Sequence, residues 1–238
     1  MTTPLLEVRN VATGYGGQEI LRDISLEVPA GSMVTLIGPN GHGKTTLMRA
    51  ISGLLGVWSG EILLLGERIS GRSAHNIVER GVVHIPQGDM LFSEMSVIDN
   101  LMMGAYPSAA YAVAGERIQT VFKLLPRLEE RRDQIASTLS GGERRMLAIG
   151  RGLMANGKLL LIDEPSLGLA PMAIDLIYEV IADLKQQGIA ILLVEENASR
   201  VFGVADKVYL LDDGKIVWSG STSEMEENQD ILETYLGG

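Results

Sequence analysis

The chain has 238 residues, enough to bury a full core as one domain or as one core with a subdomain, and a tight fit for two independent domains. A formal charge of −10 disfavours a nucleic-acid groove or a direct hold on anionic lipid, and the absence of cysteine excludes disulfides, cysteine catalysis and thiolate zinc sites. No run approaches the roughly 18 apolar residues of a membrane span and the first residues lack a basic then apolar signal, so a soluble, unexported chain is expected.

Leu5 to Ala12 and Ile24 to Val28 read as strands around a glycine turn that carries Tyr15. An aromatic on such a loop either stacks an adenine or packs on its own hairpin, and the residues leave both readings open. Pro29-Ala30-Gly31 turns the chain into an apolar strand from Met33 to Ile37, which runs into Gly38, Pro39, Asn40, Gly41, His42, Gly43, Lys44, Thr45 and Thr46. This stretch fits G-x-x-x-x-G-K-[ST], a phosphate cradle: the glycines turn backbone N–H groups inward, Lys44 reaches the outer phosphates, and the Thr45 hydroxyl can sit on magnesium. A helix is expected from Lys44 to Leu55, with Leu47, Met48, Ile51, Leu54 and Leu55 on one face, so that its N-terminus opens at the glycine loop.

Further short strands are expected at Glu61 to Leu65, before a Gly66-Glu67 turn, and at Val82 to Pro86. Gln87 follows the second of these, where a glutamine can orient water or fill a magnesium shell; a polar loop residue is the plainer reading. Ser96 to Asp99 has the form of a capping box, opening a helix through Met103 and a largely helical stretch to Met154. Within it, residues 127–133 are a mixed charge run expected to be a solvated face and nothing more.

Leu139-Ser140-Gly141-Gly142-Glu143 opens another helix. Ser140 is a good N-cap, and the bare N–H groups of Gly141 and Gly142 offer a second anion site, although taken alone a capped helix with a flexible entry is the plainer reading. Leu159 to Ile162 then reads as a strand buried on both faces, ending in Asp163 and Glu164. There a first acid can hold magnesium through water and a second can orient or deprotonate the attacking water. A helix from Pro171 to Gln187, with Ile174, Ile177, Ile181 and Leu184 inward and Gly188 as its stop, leads to a strand from Ile189 to Val194 and then Glu195-Glu196-Asn197. A hairpin over 208–218 and an acidic helical tail from Ser221 to Leu236 close the chain.

Tyr15, the phosphate loop, Gln87, LSGGE at 139–143, the acid pair at 163–164 and Ser166-Leu167-Gly168-Leu169 occur in one order that resembles the ATP-binding subunits of ABC transporters. The stretches LSGGERRMLAIGRGLM, LLLIDEPSLGLAP, LLVEEN and the final YLGG look like the shorter ATPase subunit of branched-chain amino acid importers. The resemblance spans essentially the whole chain. It implies an α/β fold: a P-loop NTPase core with a mainly parallel sheet, an N-terminal antiparallel β subdomain, a helical subdomain inserted at about 88–155, and an acidic C-terminal helix at about 221–238.

It also implies ATP and magnesium as cofactors, and two subunits closing head to tail so that Ser140, Gly141 and Gly142 act on the partner's nucleotide. By the same resemblance Tyr15 stacks adenine, Lys44 holds the β and γ phosphates, Thr45 and Asp163 keep magnesium in place with Gln87 sensing it, and Glu164 is the base. Implied partners are membrane-spanning permease subunits facing Gln87 and the segment through about Asn100, a second related ATPase subunit, and an extracytoplasmic solute-binding protein. The expected location is peripheral, on the cytoplasmic face of the membrane, with no nucleic acid bound and no direct lipid insertion.

The sequence departs from the pattern in three places: LSGGE stands for LSGGQ, no aspartate closes Ser166 to Leu169, and Glu196 stands where the switch histidine is usual, with His42, His75 and His84 elsewhere. Other readings are a soluble ABC ATPase acting on DNA or ribosomes, a regulatory module with little turnover, and an importer of another solute such as urea or short amides. Too few residues separate Lys44 from Ser140 for a coiled-coil insertion, which argues against the first, and Glu164 argues against the second.

Overall fold

The computed structural model describes residues 4–228 and 231. The chain opens with two long strands, β1 (Leu6–Tyr15) and β2 (Gln18–Val28), then β3 (Met33–Ile37), α1 (Lys44–Ile51), β4 (Ser59–Leu64), β5 (Glu67–Arg68), α2 (Ala74–Glu79) and β6 (Val82–Ile85). A helical stretch follows: α3 (Val97–Gly104), α4 (Ser108–Ala112), α5 (Ala114–Leu124), α6 (Pro126–Glu130) and α7 (Gly141–Met154). The remainder is β7 (Leu159–Asp163), α8 (Pro171–Gln186), β8 (Ala190–Glu195), β9 (Lys207–Asp212), β10 (Lys215–Gly220) and α9 (Thr222–Glu226).

Two sheets result. One is antiparallel, in the order β2-β1-β4-β5, and the other runs β10-β9-β3-β8-β7-β6, parallel throughout except for β10. The period-two geometry of the parallel strands divides their side chains between two cores. Val34 and Leu36, Leu159 and Leu161, and Leu192 and Val194 face α1 and the antiparallel sheet. Ile37, Leu160, Ile162, Ile191 and Leu193 face α7 and α8. Burial on both faces is why β7 and β8 read as unbroken apolar runs.

Several elements differ from expectation. The first two strands are longer than the sequence suggests, because they pair along their whole length up to a turn at Gly16 and Gly17, with Tyr15 opposite Gln18. The first helix stops at Ile51 instead of Leu55. Gly53, at φ 73°, ends it, the amides of Leu54 and Leu55 donate back to Arg49 O, and Leu54 is exposed instead of sharing the inner face. The charge run is not only a solvated face, since Arg131 Nε lies 2.6 Å from Glu143 Oε1. The acidic tail forms α9 behind a Ser221–Glu224 capping box but breaks after Glu226; residues 229, 230 and 232–238 of that expectation lie outside the described residues.

Because β3, β8, β7 and β6 are parallel neighbours, their carboxyl ends share one edge. Ile37 sits beside Glu195, Asp163 beside Val194, and Ile85 beside Ile162. The segments that leave those ends, beginning at Gly38, Glu196, Glu164 and Pro86, therefore meet at one place.

Candidate active site

At that edge the chain turns sharply from β3 into α1. Gly38, at φ 150°, passes so close to β9 that a Cβ there would fall 2.0 Å from Leu211 O, which no side chain tolerates. His42 ties the loop to the β9–β10 turn: its Nδ1 is 2.7 Å from Asp212 Oδ1, and Gly214 N donates to His42 O at 3.2 Å. Lys44 is buried and donates to the carbonyls of Gly38 at 2.7 Å and Pro39 at 3.0 Å, so its ammonium is held over the mouth of its own loop.

A cleft of about 310 Å³ lies against this loop, lined by Asn40, Gly41 and Gly43 to Thr46 together with Gln87 and Glu164. Glu164 is buried at φ 44°, a left-handed backbone that a non-glycine residue adopts only when its surroundings impose it; here its N–H donates to Val194 O at 3.0 Å. One carboxylate oxygen accepts from Gln87 Nε2 at 2.9 Å and the other lies 3.7 Å from Lys44 Nζ. Burial raises its pKa; Lys44 opposes the rise, and Asp163, Glu195 and Glu196 add to it. A carboxylate oriented by one hydrogen bond and a nearby ammonium, and made more basic by its surroundings, is suited to taking a proton from water.

Asp163 is fully buried, and neither of its carboxylate oxygens completes a hydrogen bond. Burial pushes its pKa up, against the nearby Thr45 hydroxyl and the charges of Arg145, Lys44 and Arg49. Leaving a buried carboxylate unpartnered costs free energy, about 1–3 kcal/mol or more for a charged group. Two free oxygens beside a threonine hydroxyl are a donor set that fits a hard divalent cation. Thr45, Gln87 and the adjacent pair Asp163 and Glu164, three separate stretches of the sequence, thus come together.

Tyr15 and the Ser140 segment do not join them. Tyr15 is 42% exposed, its hydroxyl accepts from Arg49 Nη1 at 3.2 Å, and it does not line the phosphate cleft. Ser140, exposed, caps α7 in a closed box with Glu143: its hydroxyl accepts from Glu143 N and donates to Glu143 Oε2 at 2.8 Å. Burial would raise Glu143, but the Ser140 hydrogen bonds and Arg131 outweigh it and hold that carboxyl below the ordinary range. Gly141 and Gly142 open the same helix and likewise do not line the cleft.

Glu196 is exposed on a second depression of about 620 Å³, bounded by Gly38 to Asn40, Ser166 to Leu169, Asn197 and Arg200. Beside it lies a cluster that sequence reasoning missed. Buried Glu195 accepts from Ser166 Oγ at 2.8 Å and from the Tyr178 hydroxyl, while Arg200 donates to Ser166 and sits 3.8 Å from Glu195. Burial, and then Glu195, push Tyr178 far upward, so its hydroxyl keeps its proton and donates. A polar residue closing an otherwise apolar strand was the only signal for Glu195. Arg145 was missed as well, although it shares i, i+4, i+8 spacing with the buried Ile149 and Leu153, which puts a guanidinium on the inner face of α7.

A family model described as "ABC transporter" matches residues 21–167, more than half of the chain. The chain belongs to the ABC transporter family. It is accordingly an ATPase subunit of that family. This ABC ATPase is 42% identical over 236 residues to the high-affinity branched-chain amino acid transport ATP-binding protein BraG of Pseudomonas aeruginosa, covering 98% of this chain and 100% of the relative. It is 33% identical to the lipopolysaccharide export system ATP-binding protein LptB of Haemophilus influenzae, covering 98% and 97%. Its fold superposes on an ATP-binding cassette of an ABC transporter solved in its ADP conformation, with a TM-score of 0.86, 27% identity and 98% of each chain covered. Among the described residues no helix is long and apolar enough to cross a membrane.

Proposed function

We propose that this ABC ATPase powers the import of branched-chain amino acids, docked on the cytoplasmic face of separate membrane-spanning permease subunits. The observation that supports this solute class is the 42% identity to BraG over the full length of both chains, against 33% for the lipopolysaccharide export protein. In this reading the chain is one ATPase domain with a helical subdomain at about 88–155. It pairs head to tail with a second, related ATPase subunit, and an extracytoplasmic binding protein delivers the solute.

ATP lies along the phosphate loop, with Tyr15 against the adenine and Lys44 released from its own carbonyls to the β and γ phosphates. Thr45 and Asp163 hold magnesium, with Gln87 completing the set, and the bare oxygens of Asp163 support this assignment. A divalent ion held by these residues would supply positive charge to the phosphates. Glu164, steadied by Gln87, takes a proton from the attacking water. Ser140, Gly141 and Gly142 serve the partner's nucleotide, in keeping with their distance from this chain's own cleft.

A groove of about 490 Å³ beside Gln87 supports the docking. Met90, Phe92, Met103 and Tyr106, all substantially exposed, line it, and an apolar surface of that kind suits a segment of a permease subunit. Co-purification with the membrane subunits followed by a solute-dependent ATPase assay tests the reading. Stimulation by leucine, isoleucine or valine with their binding protein is expected. Stimulation by urea, a short amide or lipopolysaccharide instead would overturn the solute assignment while leaving the ATPase in place.

A further inference from the structure

We propose that Arg145 is the positioning residue that holds Gln87 against Glu164, joining the helix that begins at Ser140 to the hydrolytic carboxylate of its own chain through one buried guanidinium. The inference rests on the proposed roles of Glu164 and Gln87 and adds a residue that neither the motifs nor the family assignment singles out.

Arg145 is 3% exposed. Its Nη1 donates to Pro86 O at 2.8 Å and to Gly88 O at 3.0 Å, the carbonyls on either side of Gln87, and its Nη2 donates to Asp163 O at 2.8 Å. The peptide groups flanking Gln87 are therefore fixed to the end of β7, and Gln87 spans from there to Glu164 Oε2 at 2.9 Å. A planar fork of donors can reach three carbonyls at once, which an ammonium at the end of a flexible stem cannot do in one geometry.

Among the described residues Arg145 has no carboxylate within ion-pair distance, and its Nε has no hydrogen-bond partner. Burying such a cation is costly, and an apolar side chain of similar volume would dock α7 at least as well. What the guanidinium supplies that packing does not is direction. Other arginines of α7 hold the following residues: Arg144 Nε donates to Asp89 at 3.0 Å, and Arg151 stacks over the Phe92 ring at 5.6 Å. The Gln87 segment thus rides on α7 while its side chain reaches into the cleft.

The test uses the full chain carrying Arg145→Met, which keeps volume without donors, and Arg145→Lys, which keeps charge without the fork, each alone and with Gln87→Ala. Hydrogen exchange on the isolated chain should rise by roughly tenfold at the amides of residues 87–89, beside the released carbonyls, and stay unchanged in β3 and β8. In the assembled ATPase, Arg145→Met should lower kcat by about tenfold or more with KM for MgATP within about threefold, as for a contact that orients the reacting groups. In the Gln87→Ala background the same change should cost less than about twofold, because both act through one contact. Lysine should recover only part of the loss.

Exchange rising throughout α7 and β7, or losses that multiply with Gln87→Ala, would reduce Arg145 to a structural residue and overturn the proposal. Should the methionine variant not fold, the exchange pattern and the coupling of Arg145→Lys decide in the same way. Glu164→Gln is measured alongside: if that variant turns over like the parent, the reading of Glu164 has failed, and this is distinguishable from a failure of Arg145 to couple to Gln87.

Discussion

Two helix N-termini in this molecule begin with glycine, and they are built in opposite ways. At α1 the loop is drawn tight against β9, Lys44 is buried, and the ends of β7 and β6 bring Glu164 and Gln87 to the same cleft. At α7 nothing converges. Ser140 and Glu143 satisfy each other in a capping box, and Arg131 secures the glutamate from outside. The first site gathers a lysine, a glutamine and a carboxylate around one cleft within a single chain. The second needs its hydroxyl to leave Glu143 before it can serve any phosphate, which is what a contact formed only on assembly requires. The LSGG motif is thus a capped helix start in the free subunit, and under the proposed pairing it would also meet the partner's nucleotide.

The largest effect expected from breaking the α1 side is at Glu164. Glu164→Gln should lower turnover of the assembled transporter by more than about a hundredfold, the range of general-base assistance, while MgATP still binds. At a hundredfold excess over Kd that binding should stabilise the isolated variant by about 2.7 kcal/mol, seen as a rise in Tm, and adding Lys44→Ala should remove the rise. An unchanged Tm with MgATP would count against the cleft as a nucleotide site.

Ser140→Ala tests the other helix and should act on two levels. In the isolated chain it removes a cap worth about 0.5–2 kcal/mol, lowering Tm modestly, and leaves ATP affinity within about twofold because Ser140 lies outside the cleft. In the assembled complex, losing a hydrogen bond to a charged group should lower turnover by roughly ten- to a hundredfold. Loss of ATP binding by the isolated variant would place Ser140 in this chain's own site and erase the contrast between the two helices.

The smallest effect is expected at Glu196, on the depression next to the phosphate loop. Two like charges about 4 Å apart repel by about 1 kcal/mol in water and about 4 at an intermediate dielectric, so its carboxylate does not belong on the γ-phosphate. Its exposure agrees with that, and Arg200 on the same wall is engaged by Ser166 and Glu195. Glu196→Ala should lower turnover by less than about tenfold, and Glu196→His should be tolerated or faster. A loss as large as that of Glu164→Gln, compared at equal assembly, would make Glu196 a catalytic residue.

Much of this was legible along the chain because the relevant chemistry is local. The phosphate loop, the cap at Ser140, the stop at Gly188 and the apolar runs that end in Asp163 and Glu195 depend on the backbone preferences and burial of neighbouring residues, and those preferences act over one turn or one strand. The helix after the phosphate loop was misjudged at its end because Gly53 stops it while the apolar spacing continues through Leu54 and Leu55.

What the sequence by itself determined about this protein is which groups exist for the chemistry: a phosphate loop, a pair of acids after a buried strand, and a capped glycine helix. What only the tertiary structure decided is which of them meet. The hydrogen bond from Gln87 to Glu164 spans 77 residues, and that from Arg145 to Pro86 spans 59. The contact of Ser166 with Glu195 spans 29. Each depends on the order and register of the parallel strands, which place distant strand ends on one edge. They depend also on burial, which removes water as an alternative partner and leaves a buried guanidinium or carboxylate only the groups that the fold has brought beside it.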